Sequence, residues 1–294
     1  MNSVITLTTD FGLSDPFVGI MKGVMLGINP SVRFIDISHQ IEPQNIAHAY
    51  YILNFSYKYF PPGTIHLCVV DPGVGSIRRP ILVEVVGQGF SPATYFVGPD
   101  NGIFSFIFKN EPESRVIELT EKRFFLSSVS QTFHGRDIFA SVAAHLSTGV
   151  NPSEFGKPVN DPVILNIPEP KVFPSFKKRG QGRFEENEIQ GEVIYTDRFG
   201  NLITNIPATL IPPHPPLEKG GRGDFQIKIK DFIAPLCKSY SDAGDLKPSS
   251  ILNSWGLLEI FMKNKDVGRE LGVEKGEKVI ITAKSKIQRS KVTT

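Results

Sequence analysis

The sequence predicts an N-terminal layered α/β domain with a mainly parallel sheet, followed by a smaller all-β domain. Two observations carry this reading. From Val4 to Leu146, short apolar runs of strand type alternate with helical segments, the pattern of strands joined by crossover helices. Beyond Ile189 helical periodicity stops and short strands bounded by turn residues take over, as in a sandwich or a barrel. A chain of 294 residues has the length of about two domains.

Val4-Ile5-Thr6-Leu7-Thr8-Thr9 reads as the first strand and empties into Asp10-Phe11-Gly12. A helix is expected from about Phe17 to Ile28, where apolar spacing gives one buried face and Asn29-Pro30 stops it. Val32 to Ile37 is a second strand; Asn45 to about Tyr59 is an aromatic-rich helix halted by Pro61-Pro62-Gly63. Thr64 to Cys68 starts a third strand that runs into Val69-Val70-Asp71-Pro72-Gly73-Val74-Gly75-Ser76. Ile81 to Val86 and Tyr95 to Val97 come next. The latter ends in Gly98-Pro99-Asp100-Asn101-Gly102, ahead of a helix carrying Phe104, Ile107 and Phe108. Val116 to Leu119 is a further strand, and Thr132-Phe133-His134-Gly135-Arg136-Asp137 introduces a helix through Leu146, closed by Gly149.

Residues 151–187 are proline-rich and aperiodic. The domains are therefore placed at 1–168 and 189–294, with 169–188 as a linker. Strands are expected at Ile189 to Thr196, Leu202 to Ile206, Phe225 to Ile229, Leu257 to Phe261 and Lys278 to Thr282. Two segments repeat each other: Pro174 to Phe184 and Pro215 to Phe225 align without gaps and share Pro, Lys, two Gly and the final Phe. Basic and glycine-rich, they bury too little apolar surface to offset the entropy of ordering. Both read as mobile surface insertions with no chemical role.

Composition excludes several classes. With 32 basic and 30 acidic residues the net charge is +2, which supplies no electrostatic footprint for nucleic acid or an anionic membrane. Cys68 and Cys237 are the only cysteines and lie in separate halves, so neither a disulfide framework nor a thiolate zinc cluster is expected. No apolar run approaches ~18 residues, and Met1-Asn2-Ser3 leads into a strand rather than a signal peptide. A cytoplasmic protein is the expectation.

Ligands of open α/β sheets bind at the carboxyl ends of the strands. Three predicted strand tips here end in an acid with glycine, at Asp10, Asp71 and Asp100, and a fourth loop carries His134 and Asp137. After Asp71, Pro72 fixes the turn while Gly73 and Gly75 allow angles or close approaches that a Cβ would obstruct. Arg78, seven residues beyond Asp71, is near enough to fold back on it. Asp71, Arg78 and His134 make a set able to handle water: the carboxylate takes one proton, the imidazole holds or shuttles another, and the guanidinium fixes the carboxylate. Asp10 and Asp100 suit helix caps or ribose hydroxyls. The same acids with His134 would equally serve as Mg²⁺ or Mn²⁺ ligands in a phosphoester hydrolase, and a non-catalytic adenosine-binding module would use only their hydrogen bonds. In the second half, Asp197-Arg198-Phe199-Gly200-Asn201-Leu202-Ile203-Thr204-Asn205 is the densest polar stretch. The Asn201 amide suits the edge of an adenine; a hairpin turn, with Phe199 in the core and Gly200 at positive φ, accounts for the stretch equally well.

Taken together and in order, T-T-D-F-G, V-D-P-G-V-G-S with Arg78, G-P-D-N-G, T-F-H-G-R-D and D-R-F-G-N-L-I-T-N resemble the S-adenosylmethionine hydroxide adenosyltransferase family, relatives of the fluorinating and chlorinating enzymes. The resemblance implies an α/β domain, a C-terminal β-barrel, and a homotrimer holding substrate between neighbouring subunits. It implies hydrolysis of S-adenosylmethionine to adenosine and L-methionine, with no metal or other cofactor. Asp71, Arg78 and His134 match its water-activating trio, Asp10 its ribose-diol position, Asn201 its adenine contact and Asp197 its contact to the methionine amino group. It draws Asp100, Asn101, Phe133, Phe199 and Glu259 into the substrate-binding set, with Ser254 of Asn253-Ser254-Trp255-Gly256 near the methionine end. Gly135 stands where the halogenating relatives have a halide-binding serine, which argues against halogenation. Phe261-Met262-Lys263-Asn264-Lys265-Asp266 departs from the small, Asn/Gly-rich segment usual in the family.

Overall fold

Strand β1 (Val4–Thr9) buries five of its six residues, the mark of a strand covered on both faces. The computed structural model describes residues 3–87, 91–179, 182–211 and 225–283, and the chain divides into two units, Met1–Asn166 and Ile167–Thr294. In the first, β1 is followed by α1 (Phe17–Ile28), β2 (Arg33–Ser38), α2 (Ile46–Ser56), β3 (Ile65–Val69), β4 (Pro80–Val85), β5 (Thr94–Pro99), α3 (Ser105–Asn110) and β6 (Arg115–Leu119). A π-helical segment (Gly135–Ala140), α4 (Ser141–Ser147) and the short β7 (Gly156–Pro158) complete the unit. The seven strands lie in the order β2-β1-β3-β5-β4-β6-β7. The first four are parallel, as the alternation with helices predicts. Beyond β5 the neighbours pair antiparallel, which makes the sheet mixed.

Helices cover both faces. α1 buries Val18, Met21 and Met25 in one cluster with Ile5, Leu7, Leu67 and Val69 of the sheet and Val142 and Ala143 of α4. Its end is fixed by Asn29, whose Nδ2 donates to Ser147 Oγ at 2.8 Å. On the other face, α2 and α3 bring Tyr50 and Phe106 together at 5.5 Å, and Phe106 packs on Phe96 of β5 at 5.9 Å. Asn45 starts α2 by accepting the His48 N–H at 2.9 Å.

The second unit is built from β8 (Lys171–Arg179), β9 (Gly182–Thr196), β10 (Leu202–Pro207), β11 (Phe225–Ile229), β12 (Phe232–Ile233), β13 (Ser249–Leu252), β14 (Leu257–Phe261), α5 (Val267–Leu271) and β15 (Lys278–Ala283). Its strands follow the order β12-β11-β15-β9-β10-β14-β13, all paired antiparallel. The ends of that order meet: just past β12, Cys237 N–H donates to Ser250 O at 2.7 Å and Ser250 N–H to Pro235 O at 2.8 Å. The sheet thereby curls into a nearly closed barrel, which leaves few open edges. Val193, Leu202, Ile227, Leu258, Ile260 and Val279 fill it.

The stretch expected as a linker is strand. β8 and β9 pair in unbroken register from Lys171↔Gln190 to Arg179↔Gly182, so the first insertion extends a barrel strand as a hairpin. Composition hid this because a ladder is made of backbone bonds, and β9 continues a strand whose lower half is already fixed in the barrel. The repeated segment from Pro215 to Asp224 lies outside the described residues. The segment after Ile260 is also structural: Phe261 is buried, and Asp266 caps α5 by accepting Arg269 N–H at 2.9 Å. No helix among the described residues is long and apolar enough to cross a membrane.

One core residue links fold to pH. His66, in the middle of β3, is fully buried; its Nδ1 meets Thr6 Oγ1 at 2.8 Å and its ring stacks on Phe96 at 4.8 Å. Burial drives its pKa down to about 3. The unfolded chain protonates this imidazole below its ordinary value of 6.5, the folded chain does not, so stability falls with pH across that window. Each unit costs ~1.4 kcal/mol. Urea unfolding at about pH 4.5 should therefore show ~2–3 kcal/mol less stability from this residue than at neutral pH. The paired change Thr6→Val with His66→Leu should remove that part of the pH slope; an unchanged slope would mean His66 is not held neutral.

Candidate active site

The chain leaves β1 through α1 to β2 on one side, and returns through α2 to β3 on the other. Where connections diverge like this, the carboxyl ends of the two strands border a crevice. Register Thr9↔Val69 sets Asp10 and Asp71 on adjacent tips over it. A cavity of about 370 Å³ opens there, lined by Asp10, Phe11, Phe17, Gln44, Asp71, Phe133 and His134 among others, a size suited to a small organic ligand.

Asp71, Arg78 and His134 are joined into one unit. Arg78 Nε donates to Asp71 Oδ1 at 2.8 Å and its Nη2 to Asp71 Oδ2, a two-pronged pair whose side chains are 9% and 6% exposed. The same Nη2 lies 2.9 Å from His134 Nδ1. A guanidinium can only donate, so Nδ1 must accept and Nε2 carries the ring proton. Burial, then the Arg78 charge, hold His134 below its ordinary pKa, against the opposing charges of Asp71 and Asp137. The imidazole is thus a fixed neutral tautomer, rather than a free proton shuttle.

Two further contacts bring His134 into place. Gly75, at φ 76°, approaches the 130–134 loop so closely that a Cβ would lie 2.4 Å from Gln131 O; any larger residue would push the two loops apart. Asp137, fully buried, accepts Ser130 N–H at 2.7 Å and binds Arg136. Burial alone would raise its pKa, but those bonds outweigh it and the carboxyl is lowered. His134 directly precedes the π-helical segment, a widened turn of a kind concentrated at functional sites.

The remaining predicted residues divide. Asp10 lines the cavity, with Oδ2 accepting Gln44 N–H at 2.8 Å. Phe133 lines it too and packs edge-on against Phe11 and Phe17 at 5.8 and 5.3 Å. A Cβ on Gly135 would meet Val69 Cγ1 at 3.2 Å and Phe133 Cε2 at 3.3 Å, leaving little room for a serine. Asp100 is turned inward: it is 4% exposed, pairs with Arg79 at 2.7 Å and accepts Val163 N–H at 2.8 Å. Asn101 donates to Val70 O at 2.9 Å and accepts Ile103 N–H at 3.2 Å. Neither borders the cavity; Asn101 braces the strand end that carries Asp71, while Asp100 is held by Arg79 and Val163. Phe11, Phe17 and Gln44 went unread in the sequence. Phe11 lies inside the T-T-D-F-G motif and Phe17 opens a periodic helix, but neither signal says that the ring faces a cavity, and a left-handed backbone is not written in a glutamine.

In the second unit, Asp197 Oδ1 accepts Phe199 and Asn201 N–H at 2.8 and 2.9 Å, and its Oδ2 accepts Asn201 Nδ2 at 3.0 Å. Gly200 has φ 84°, and a Cβ there would fall 2.2 Å from Asp266 Cγ. The stretch is a tight turn, as the plainer reading expects, but Phe199 is 78% exposed rather than in the core. Glu259, buried in β14, accepts Tyr240 Oη–H at 2.7 Å and Asn253 Nδ2 at 3.2 Å. Burial pushes its pKa up despite those bonds, and the Asp197 charge adds to the rise. Ser254 is exposed in the turn that Asn253 shapes by accepting Trp255 and Leu257 N–H. Tyr240 is an addition that sequence reading missed.

The metal-hydrolase alternative loses its ligand set. Among the described residues no three His, Cys, Asp or Glu side chains gather to hold an ion, since Arg79 withdraws Asp100 and Arg78 engages both Asp71 and His134.

Comparison with known proteins identifies the family. Residues 5–156 match the SAM hydroxide adenosyltransferase N-terminal domain and residues 191–280 its C-terminal domain. The chain belongs to this family. It is 39% identical over 271 residues to an (R)-S-adenosyl-L-methionine hydrolase of Methanocaldococcus jannaschii, covering 89% of each chain. It is 26% identical over 308 residues to a fluorinase of an Actinoplanes species, covering 96% and 98%. Among solved structures, an uncharacterized conserved protein from Thermotoga maritima superposes with TM-score 0.81 at 32% identity, covering 95% of this chain and 99% of that one. The hairpin of β8 and β9 falls largely between the stretches that match the two family domains.

The Arg78 contact gives a direct test. Because the guanidinium charge helps hold His134 down, Arg78→Gln should raise the imidazole pKa, followed by NMR titration of the ring carbons. A pKa unmoved by the substitution would mean that the two side chains do not meet in solution.

Proposed function

We propose that this protein hydrolyses S-adenosyl-L-methionine to adenosine and L-methionine by attack of water at C5′. The observation that carries the reading is the Asp71–Arg78–His134 unit on the wall of a cavity shared with Asp10, in a chain 39% identical to a hydrolase of this substrate. Asp10 accepts the ribose hydroxyls, and the aromatic wall of Phe11, Phe17 and Phe133 excludes bulk water. Asn201, with Phe199 beside it, serves the adenine; Asp197, Ser254 and Glu259 serve the amino-acid end.

The chemistry suits these groups. The water oxygen forms a bond to C5′ as the C5′–S bond breaks, and the bonding pair returns to sulfur to give the neutral thioether of methionine. Charge disperses as the sulfonium departs, so the leaving group needs no acid and a dry site favours the step. Each oxygen of Asp71 takes one bond from Arg78 and keeps a lone pair free to accept the water proton. His134 Nε2–H aims the water, and alignment of this kind contributes on the order of 7–11 kcal/mol in favourable cases. The reaction needs no metal and no cofactor. The relative's name specifies the (R) form at sulfur, and we extend that preference to this chain.

The reading is tested in ¹⁸O water. Label should appear at the adenosine 5′-hydroxyl, EDTA should leave turnover unchanged, and the (R) sulfonium should be consumed ahead of its epimer. Label in methionine, or loss in EDTA restored by Mg²⁺, would refute it.

We further propose that the enzyme works in the cytoplasm as a homotrimer, with the first domain of one copy and the second domain of its neighbour sharing each substrate. A cyclic head-to-tail assembly makes three equivalent sites of this kind. Asp71→Asn chains and Asn201→Ala chains, each impaired alone, should then regain activity when unfolded and refolded together. Mixed oligomers without any gain would place each site within one chain.

A further inference from the structure

Gln44 sits in the loop between β2 and α2 with φ 64°, a left-handed backbone that glycine adopts freely and a residue with a Cβ adopts only when its surroundings enforce it. Among the described residues three other non-glycines share this conformation, Lys230, Leu246 and Asn264, and none of them lines the cavity. Gln44 does, and the angle turns its main-chain N–H onto Asp10 Oδ2 at 2.8 Å.

The surrounding loop is built to hold that angle. Asn45, the next residue, is committed to starting α2 through the His48 N–H, and its own N–H donates to Glu42 O at 3.0 Å. Upstream, Ile41 N–H donates to Thr9 O at 3.4 Å and His39 O accepts Gly12 N–H at 2.8 Å, while His39 Nδ1 meets Thr9 Oγ1 at 2.8 Å. The residues on both sides of Asp10 are therefore laced to the same loop. Of these contacts, the Gln44 N–H is the one that reaches the carboxylate. A carboxylate with one oxygen so fixed presents the other in a single direction; without the bond it turns about its last torsion, which is broad.

We propose that Gln44 is a positioning residue: its strained main-chain N–H orients Asp10 toward the ribose hydroxyls of the substrate. This rests on the reading of Asp10 as the acceptor of those hydroxyls. The role belongs to the backbone, so the side chain is replaceable wherever φ is kept. Glycine keeps φ and the N–H. Valine, branched at Cβ, resists the left-handed region and swings the N–H away.

The test compares adenosine with 2′,3′-dideoxyadenosine, binding measured by calorimetry on the full chain alongside the melting temperature. Wild-type protein should favour adenosine. Gln44→Gly should keep that preference, while Gln44→Val should weaken adenosine about tenfold, the worth of one charge-assisted bond, and leave dideoxyadenosine unchanged. Where Gln44→Val fails to fold, Gln44→Thr, also branched at Cβ, should show the same selective loss. Equal weakening of both ligands, a lower melting temperature with adenosine affinity intact, or a loss in Gln44→Gly as large as in Gln44→Val would overturn the role of Gln44. A wild-type protein that does not distinguish the two ligands would instead refute the ribose reading of Asp10, and the proposal with it.

Discussion

The pair between Asp71 and Arg78 is the contact on which the site depends. Both side chains are more than nine-tenths buried, and removing one partner of such a pair typically costs ~3–5 kcal/mol because the other charge is left uncompensated. That cost is what makes the geometry single-valued. The guanidinium spends Nε and Nη2 on the carboxylate, and Nη2 also reaches His134, so one planar group fixes two residues that lie 56 positions apart from it or seven. Phe139 lies under its face at 5.0 Å, and the ring closes off the side from which water would loosen the pair. The direction of each bond follows from donor chemistry alone, and with it the tautomer of His134.

Around that pair the fold acts as a set of braces. The divergence of connections at β1 and β3 opens the crevice, but the open end of a parallel sheet would be loose without its loops. Asn101 holds the carbonyl of Val70, the residue before Asp71. Arg79 anchors Asp100 and the 161–163 segment beside it. Asp137 gathers the 130–134 loop. The acids and amides near the cavity thus fall into two groups, those that face it and those that hold the backbone of the first group still. Preorganisation of this kind lowers the reorganisation required when charge shifts in the site.

The hairpin of β8 and β9 shows the opposite economy. It adds length to a barrel strand, and it lies largely outside the two stretches that match the family domains. Barrel closure depends instead on backbone bonds between residues 235–237 and Ser250, made by a segment with no strand signal of its own.

The kinds of element, and most of the polar residues on the cavity wall, were already written in local sequence. Alternation of apolar runs with helical spacing is a local property, so β1, α1, β3 and β14 were legible within a residue or two. Asp10, Asp71, Arg78 and His134 were legible because an acid or a histidine beside glycine at a strand tip is a short pattern. Tertiary structure alone decided which of these acids faces the cavity. Asp100 carries the same local pattern as Asp10 and Asp71, yet Arg79 and Val163 claim its oxygens, and no neighbour in the chain announces that. The left-handed angle of Gln44 and the neutral tautomer of His134 belong to the same class. Each is set by a partner distant in sequence, through hydrogen bonds whose existence depends on distance in space, and local propensity carries no information about that distance.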